Sequence, residues 1–338
     1  MSSKIEWTDE TWNPTTGCDK VSRGCDNCYA LTMSARMKIL GQPKYQNDGD
    51  PRTSGPGFGL TMHEDALMLP LRWKKPRQVF VNSMSDLFHP KVTDEFLAKV
   101  WAVMAASPRH VFQILTKRPT RMRSLLSDPD GDFQSEVGGW RYMHGETDTT
   151  ILTPEIPSWG WPLPNVWLGV STEDQEQADR RIHELERTPA TVRFISAEPL
   201  LGEILLGDHQ RSLDWVIAGG ESGPGARPMH PTWARSLRDQ CQSAGTPFLF
   251  KQWGAWVPID RKPAAADRDT CALHRVGSTA LTPDNPFDPF DAGHPEWRAM
   301  RRVGKTIAGR QLDGRTWDEY PDVETVSAND PEAARPDQ

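Results

Sequence analysis

The chain has 338 residues, of which 37% are hydrophobic and 25% charged, and its formal net charge at pH 7 is −7. This composition is typical of a globular protein with a sizeable core. The net charge excludes a protein that binds nucleic acid through an overall basic surface, but it is compatible with a local basic groove for nucleic acid. The longest apolar runs are too short to cross a bilayer, and the first residues do not resemble a signal peptide. We therefore expect a cytoplasmic protein with no membrane partner.

Short, mostly apolar runs recur along the chain and predict strands that are buried on both faces, as in a parallel sheet covered by helices. A first strand is predicted before Cys18, followed by strands at 79–83, 111–116, 166–171, 192–196, 215–218 and 248–251. Helices are predicted at 93–106, 119–126, 174–185 and 231–244. About seven successive βα units indicate an α/β fold. Because polar residues follow nearly every strand, we favour a parallel βα barrel, partial or full and TIM-like, over an open doubly wound sheet.

The predicted barrel is a single domain from residue 1 to 320 that carries inserted loops. The insertions lie near 42–60, 127–164 and 257–297, where Gly, Pro and polar residues interrupt any clear periodicity. The last segment, 321–338, is acidic and rich in Pro and Ala, and we expect it to be disordered.

Three of the five cysteines, Cys18, Cys25 and Cys28, fall within eleven residues with the spacing C-x6-C-x2-C. Cytosolic thiols are kept reduced, so metal binding is a better interpretation than a disulfide framework. A structural zinc site normally has four protein ligands, whereas a [4Fe–4S] cluster on three cysteines leaves one iron open. We favour the cluster. The alternative is zinc completed by a distant ligand, for which the candidates are Cys241, Cys271, His63, His89 and His230.

Polar residues at the predicted strand ends would line the mouth of such a barrel and are candidates for binding a cofactor. Glycines there allow the backbone to approach a ligand closely. Glu221 could accept hydrogen bonds from an amino group or a ribose hydroxyl, and Lys117 with Arg118 could hold a carboxylate or a phosphate. The predicted cofactor-binding residues are Asn82, Ser83, Lys117, Ser171, Glu198, Gly219, Gly220 and Glu221.

Seven stretches in chain order resemble a family of phage- and prophage-associated proteins of unknown function with a three-cysteine motif. The resemblance covers the chain to about residue 321 but brings no known reaction. The stretches are WNPTTGC (12–18), VNSMSDLFH (81–89), LTKRP (115–119), AEPL (197–200), GGESGP (219–224), FKQWG (250–254) and LDGRTWDEY (312–320).

More distantly, the cysteine loop after a first strand resembles the radical S-adenosylmethionine superfamily. This resemblance implies a partial or full βα barrel, a [4Fe–4S] cluster, and S-adenosylmethionine bound to the open iron through its amino and carboxylate groups. It also implies an electron donor, whose electron would cleave the sulfonium and give a 5′-deoxyadenosyl radical that abstracts hydrogen. The chain departs from the usual C-x3-C-x2-C spacing, has Asn27 where an aromatic residue is usual, and carries its Gly-Gly-Glu element, 219–221, after a late strand.

The sequence therefore predicts a radical S-adenosylmethionine-like enzyme with an unknown substrate related to nucleic acid or to a nucleotide. One alternative is a zinc-stabilised barrel that binds nucleic acid or a partner protein without redox chemistry. Another is a metal-dependent hydrolase that uses the carboxylates at the barrel mouth.

Overall fold

The apolar runs of the sequence form a central parallel sheet in a computed structural model, which describes residues 5–128, 130–139, 161–260, 269–275, 277–281 and 296–322. The strands within these ranges are β1 (Glu10–Trp12), β2 (Thr15–Thr16), β3 (Thr61–Met62), β4 (Gln78–Val81), β5 (Val111–Thr116), β6 (Val166–Ser171), β7 (Val192–Ala197), β8 (Trp215–Gly219), β9 (Phe248–Gln252), β10 (Trp256–Ile259), β11 (Thr270–His274), β12 (Gly277–Leu281), β13 (Trp297–Arg302), β14 (Gln311–Leu312) and β15 (Arg315–Thr316). The α-helices are α1 (Tyr29–Ile39), α2 (Glu64–Leu67), α3 (Asp94–Ala105), α4 (Pro119–Leu126), α5 (Asp132–Gly139), α6 (Gln175–Glu186), α7 (Pro231–Ala244) and α8 (Lys305–Ala308).

The central sheet has seven strands in the order β1-β4-β5-β6-β7-β8-β9, and every neighbouring pair in it is parallel. It curls into a half-barrel surrounded by helices, which is an α/β, partial TIM-like fold. The fold class predicted from the sequence is thus confirmed in its partial form. Parallel strands end at the same edge of the sheet, so the loops that follow them lie together.

The four predicted helices, α3, α4, α6 and α7, begin and end within one residue of the predicted bounds. The hydroxyl of Thr93 accepts a hydrogen bond from the Phe96 backbone N–H at 3.2 Å and caps α3. Pro231 occupies the first turn of α7, and Gly245 ends that helix with a φ of 72°. The helices bury apolar faces against one side of the sheet, where they form the main core of the protein.

The opposite face of the sheet carries a smaller, largely aromatic core. Its members include Trp7, Phe80, Phe194 and Trp215, and the Trp7 and Phe80 rings meet edge-on with 4.7 Å between centroids. This arrangement explains several of the chain's tryptophans as packing residues.

Outside the half-barrel, strands β10 to β13 form an antiparallel sheet in the order β10-β13-β11-β12. These strands occupy a region that the sequence patterns indicate to be irregular. Beyond them, β14 and β15 form a hairpin, and Asp318 then pairs with Leu249 beside the edge strand β9. Much of the predicted insertion at 127–164 lies outside the described residues, as does the predicted disordered tail from residue 323. No helix of the described part is long and apolar enough to cross a membrane.

Candidate metal centre

A cavity of about 540 Å³ lies where the parallel strands end, and the three clustered cysteines line it. Its volume falls within the range of about 300–1,000 Å³ that is usual for small-molecule sites. No histidine and no fourth cysteine is found among its described lining residues. The residues that line it at or after the strand ends are Asn82, Ser83, Thr116, Lys117, Arg118, Ser171, Ser196, Glu198, Gly220, Glu221, Lys251 and Gln252.

The cysteine loop, residues 17–28, takes its shape from a glycine, a turn and a helix start. Gly17 has a φ of 90°, and a Cβ there would lie 2.3 Å from the carbonyl oxygen of Gly59, so a side chain does not fit. Cys25 ends a 3₁₀ turn, and Cys28 is the residue immediately before α1. The amino end of a helix favours negative charge, which suits a thiolate at Cys28.

Burial strongly affects the ionisation of two of these thiols. It raises the pKa of Cys18 to about 12, with a further contribution from the Asp86 carboxylate and an opposing one from Arg118. Burial also raises the pKa of Cys28. A metal must therefore displace protons from these thiols when it binds.

The donor set of the cavity is three thiols without a fourth cysteine or a histidine among the described lining residues. A structural zinc ion normally has four protein ligands. A [4Fe–4S] cluster held by three cysteines leaves one iron open. The chemistry of these donors therefore fits such a cluster.

The five residues considered as a fourth ligand are held in other packing or hydrogen-bond contacts. Cys241 is buried in α7 and Cys271 in β11, both within the main core. The rings of His63 and His230 each contact a threonine hydroxyl, and that of His89 contacts an aspartate carboxylate. None of the five is a lining residue of the cavity.

Asp19 anchors the cysteine loop on one side. Its carboxylate accepts hydrogen bonds from Thr53 Oγ1 at 2.6 Å, from the Ser54 hydroxyl, and from His89 Nε2 at 2.9 Å. Burial works against ionisation here, but the hydrogen bonds from Ser54, Thr53 and His89 hold the pKa of Asp19 below its usual range. The predicted insertion at 42–60 thus packs directly against the cysteine loop.

Arg118 contacts the loop at Cys18 itself. Its Nη1 donates to Cys18 Sγ at 3.3 Å and to Asp86 Oδ2 at 3.0 Å, and its Nη2 donates to the Asp19 carbonyl oxygen at 2.9 Å. The sequence predicts that the Arg118 guanidinium holds a ligand's carboxylate or phosphate. In the structure it is hydrogen-bonded to the protein itself.

Glu221 ties the loop after β8 to the cysteine loop. Its carboxylate accepts from Arg227 Nε at 2.9 Å, from Arg227 Nη2 at 2.7 Å, and from Asn27 Nδ2 at 3.0 Å. Arg227 also donates to the Arg23 carbonyl oxygen at 2.9 Å. Glu221 does line the cavity, but these contacts engage both of its oxygens.

A buried ion pair supports the middle of the loop from below. Arg181 Nη1 donates to Glu173 Oε2 at 2.8 Å, and Glu173 Oε1 accepts from the Gly24 backbone N–H at 3.3 Å. Burial opposes ionisation of Glu173, but Arg181 and Lys117 lower its pKa below the usual value.

Two of the predicted cofactor-binding residues follow β4. Asn82 donates from Nδ2 to Thr15 Oγ1 at 2.6 Å, and its buried Oδ1 has no hydrogen-bond partner among the described residues. The Ser83 hydroxyl donates to Asn13 Oδ1 at 3.3 Å, and the Ser83 carbonyl accepts from the Tyr29 hydroxyl. Tyr29 thereby connects the start of α1 to this strand end.

Three further predicted residues lie at or just after the ends of β5, β6 and β7. Lys117 lines the cavity, and its ammonium makes no ion pair with any described residue. Ser171 ends β6 and lines the same space. Glu198 accepts from Ser196 Oγ at 3.1 Å and from Lys251 Nζ at 3.2 Å.

Close packing of the backbone requires a glycine at position 220, where a Cβ would lie 2.0 Å from the Trp253 carbonyl oxygen. A Cβ at Gly219 would instead meet Glu198 Oε1 at 2.5 Å, and this is the end of a side chain that can move. Gly220 lines the cavity, whereas Gly219 does not. Seven of the eight predicted residues are therefore brought together with the cysteines, and that they bind a cofactor stays a prediction.

Gln252, at the end of β9, also lines the cavity, as its position after a predicted strand indicates, and its buried Oε1 has no partner in the described part. Other lining or supporting residues could not be predicted from the sequence. Trp7 and Lys305 line the cavity, one near each end of the sequence. Asn27 and Arg227 brace the loop. Their partners are distant in sequence, so no local pattern could have indicated them.

Comparison with known proteins places the chain in a family without assigning it a reaction. No curated protein matches it. Two similar solved structures are both of spore photoproduct lyase. One is a point mutant; the match covers 78% of this chain and 68% of that chain, with 11% sequence identity and a TM-score of 0.38. The other is a complex with a dinucleoside spore photoproduct; the match covers 87% of this chain and 72% of that chain, with 11% sequence identity and a TM-score of 0.37. Identities and TM-scores this low establish no shared activity. The family model described as "Protein of unknown function (DUF5131)" matches residues 2–321, and the chain therefore belongs to that family.

Proposed function

We propose that the protein is a radical S-adenosylmethionine-like enzyme in which Cys18, Cys25 and Cys28 hold a [4Fe–4S] cluster. One observation carries the proposal. Three cysteine thiols line a single cavity at the carboxyl end of a parallel half-barrel, and neither a histidine nor a fourth cysteine is among the described residues that line it. A cluster held by three cysteines keeps one iron open to a small molecule.

The bound cofactors would supply a 5′-deoxyadenosyl radical by reductive cleavage of S-adenosylmethionine, with the electron coming from a separate donor. The chain's own residues would supply the surroundings. Asp19, Arg118 and Glu221 hold the cysteine loop. The rings of Trp7 and Phe80 give part of the cavity an apolar lining that limits water.

Cofactor binding is proposed for the polar residues at the strand ends. Lys117, which has no ion pair in the described part, suits a carboxylate. Asn82 has a buried oxygen that still lacks a donor, and an amino or hydroxyl group would satisfy it. Ser171 and Glu198 lie at the ends of adjacent strands and complete this edge.

A substrate related to nucleic acid or to a nucleotide is the class that the lining favours. An aromatic ring and an ammonium without an ion pair in the described part occur together, because Tyr29 lines the same cavity as Lys117. Aromatic side chains stack on bases, and lysines attract phosphate. We place the reaction in the cytoplasm, where thiols stay reduced.

The test is a single-turnover assay on anaerobically reconstituted full-length protein with S-adenosylmethionine and dithionite. We expect 5′-deoxyadenosine from the wild type and none from Cys18→Ser, Cys25→Ser or Cys28→Ser. Cys271→Ser is the matched control, since this thiol is buried away from the cavity, and it should retain the activity. A colourless wild type with one zinc per chain and no 5′-deoxyadenosine would favour the zinc-stabilised barrel instead.

A further inference from the structure

Arg118 touches the candidate cluster site through the sulfur of Cys18. Its Nη1 lies 3.3 Å from Cys18 Sγ, and its Nη2 donates to the carbonyl oxygen of Asp19 at 2.9 Å. The planar guanidinium therefore holds both the sulfur and the peptide that follows it. A rigid fork of this kind fixes the position of the thiol relative to its own backbone.

Asp86 holds Arg118 in this position. Its Oδ2 accepts from Arg118 Nη1 and from the Lys117 backbone N–H, both at 3.0 Å, and its Oδ1 accepts from Thr116 Oγ1 at 2.7 Å and from the Phe88 backbone N–H at 3.0 Å. Three donors other than Arg118 would remain if the arginine were replaced. Its replacement therefore leaves no bare carboxylate, and a variant should fold.

The pair is well shielded from water. The side chains of Arg118 and Asp86 are 12% and 8% exposed. Charges in such surroundings are screened weakly by solvent and by salt. The charge and the hydrogen bond of Arg118 therefore act on the Cys18 sulfur with little screening by solvent, and they oppose the Asp86 carboxylate, which acts on the same sulfur with the opposite sign.

We propose that Arg118 is a positioning residue that holds Cys18 and, through its sulfur, raises the reduction potential of the cluster. The proposal rests on the proposed function. Hydrogen bonds to the sulfurs are among the factors that set cluster potentials. A charged donor stabilises negative charge, and the reduced cluster carries one more electron than the oxidised one. Arg118 therefore favours the reduced state.

The test compares Arg118→Gln and Arg118→Lys with a control on α4, the helix that follows Arg118. Arg123→Gln also removes one arginine, but Arg123 pairs with Glu184 at 2.7 Å and does not line the cavity. The full chains are reconstituted anaerobically. Iron and sulfide are counted, and the midpoint potential is measured by redox titration followed by electron paramagnetic resonance.

We expect Arg118→Gln to lower the equilibrium constant for reduction of the cluster about tenfold. This corresponds to a midpoint potential that is lower by about 59 mV for one electron. Arg118→Lys keeps the charge but loses the fork, so its shift should have the same sign and be smaller. Arg123→Gln should leave the potential unchanged. Cluster-bearing Arg118 variants with the wild-type potential would overturn the proposal.

Two other outcomes are distinguishable from that one. If Arg118→Gln binds no iron, the Arg118→Lys chain decides the question, because a lowered potential supports the proposal and an unchanged potential overturns it. A wild type that forms no cluster at all would contradict the proposed function, and with it this inference, before any variant is compared.

Discussion

The buried ion pair beneath the cysteine loop gives the sharpest prediction about stability. The side chains of Arg181 and Glu173 are 3% and 0% exposed, and Arg181 Nη1 also donates to the Ser171 carbonyl oxygen at 2.7 Å. Arg181→Met keeps the length of the side chain and removes the charge, so the Glu173 carboxylate stays buried without its partner. Breaking a buried pair in this way costs about 3–5 kcal/mol.

Equilibrium unfolding of the full-length chain in urea, under reducing and anaerobic conditions, measures this cost. Adding Glu173→Gln to Arg181→Met removes the buried charge, and we expect the double variant to recover at least half of the lost free energy of unfolding. Arg123→Met is the control, because its more exposed pair with Glu184 should contribute less than about 1 kcal/mol. A loss under about 1 kcal/mol in Arg181→Met, or no recovery in the double variant, would refute the reasoning.

The same pair predicts a dependence on pH. Burial opposes ionisation of Glu173, but Arg181 lowers its pKa in the folded protein below the unfolded value. Its stabilisation is therefore present above the unfolded pKa and lost as the pH falls through the folded pKa. The difference in unfolding free energy between wild type and Arg181→Met should shrink on acidification from neutral pH. A difference that grows toward acid pH would contradict this sign.

Three further variants test other parts of the structure. Gly220→Ala places a Cβ 2.0 Å from the Trp253 carbonyl oxygen, so thermal unfolding should show a clear loss of stability; an unchanged melting temperature would contradict this packing. Thr93→Ala removes a helix cap and should cost about 1 kcal/mol in urea unfolding without changing iron content. Arg227→Gln loosens the contact of Glu221 with the cysteine loop, and a chelator should then remove iron faster than from the wild type; an equal rate of release would argue against a bracing role.

The half-barrel was predictable because its strands are continuous apolar runs. Residues 111–116 and 166–171 form strands with the predicted bounds, since a strand buried on both faces leaves a local signal in the sequence. Helix α7 likewise begins and ends at the predicted residues, where Pro231 and Gly245 act at its two ends.

The antiparallel sheet was not predictable in the same way. Strands β11 and β12 are neighbours in sequence, but β11 also pairs with β13 across more than twenty residues. Pairing over such a distance leaves no short-range pattern. The residues from 282 to 295 lie outside the described part of the chain, so the loop predicted there stays a prediction.

The position of the candidate site was predictable from the sequence, but the hydrogen-bond and ion-pair partners of its residues were not. Cysteine spacing and polar strand ends located the cavity, and seven of the eight predicted residues line it with the three thiols. The partners of these residues depend on long-range contacts. Glu221, for example, was expected to contact a ligand, and its carboxylate is engaged by Arg227 and Asn27. Polar contacts between distant segments do not produce a regular spacing of residues, so the sequence gives no pattern from which to predict them.

The metal content of the native protein tests the central claim most directly. The chain should be purified without oxygen, and iron, acid-labile sulfide and zinc should be counted per chain beside a Mössbauer spectrum. We predict about four iron and four sulfide atoms per chain, lost in Cys25→Ser and kept in Cys241→Ser. One zinc per chain with no sulfide, or loss of the cluster in Cys241→Ser, would contradict a cluster held by Cys18, Cys25 and Cys28.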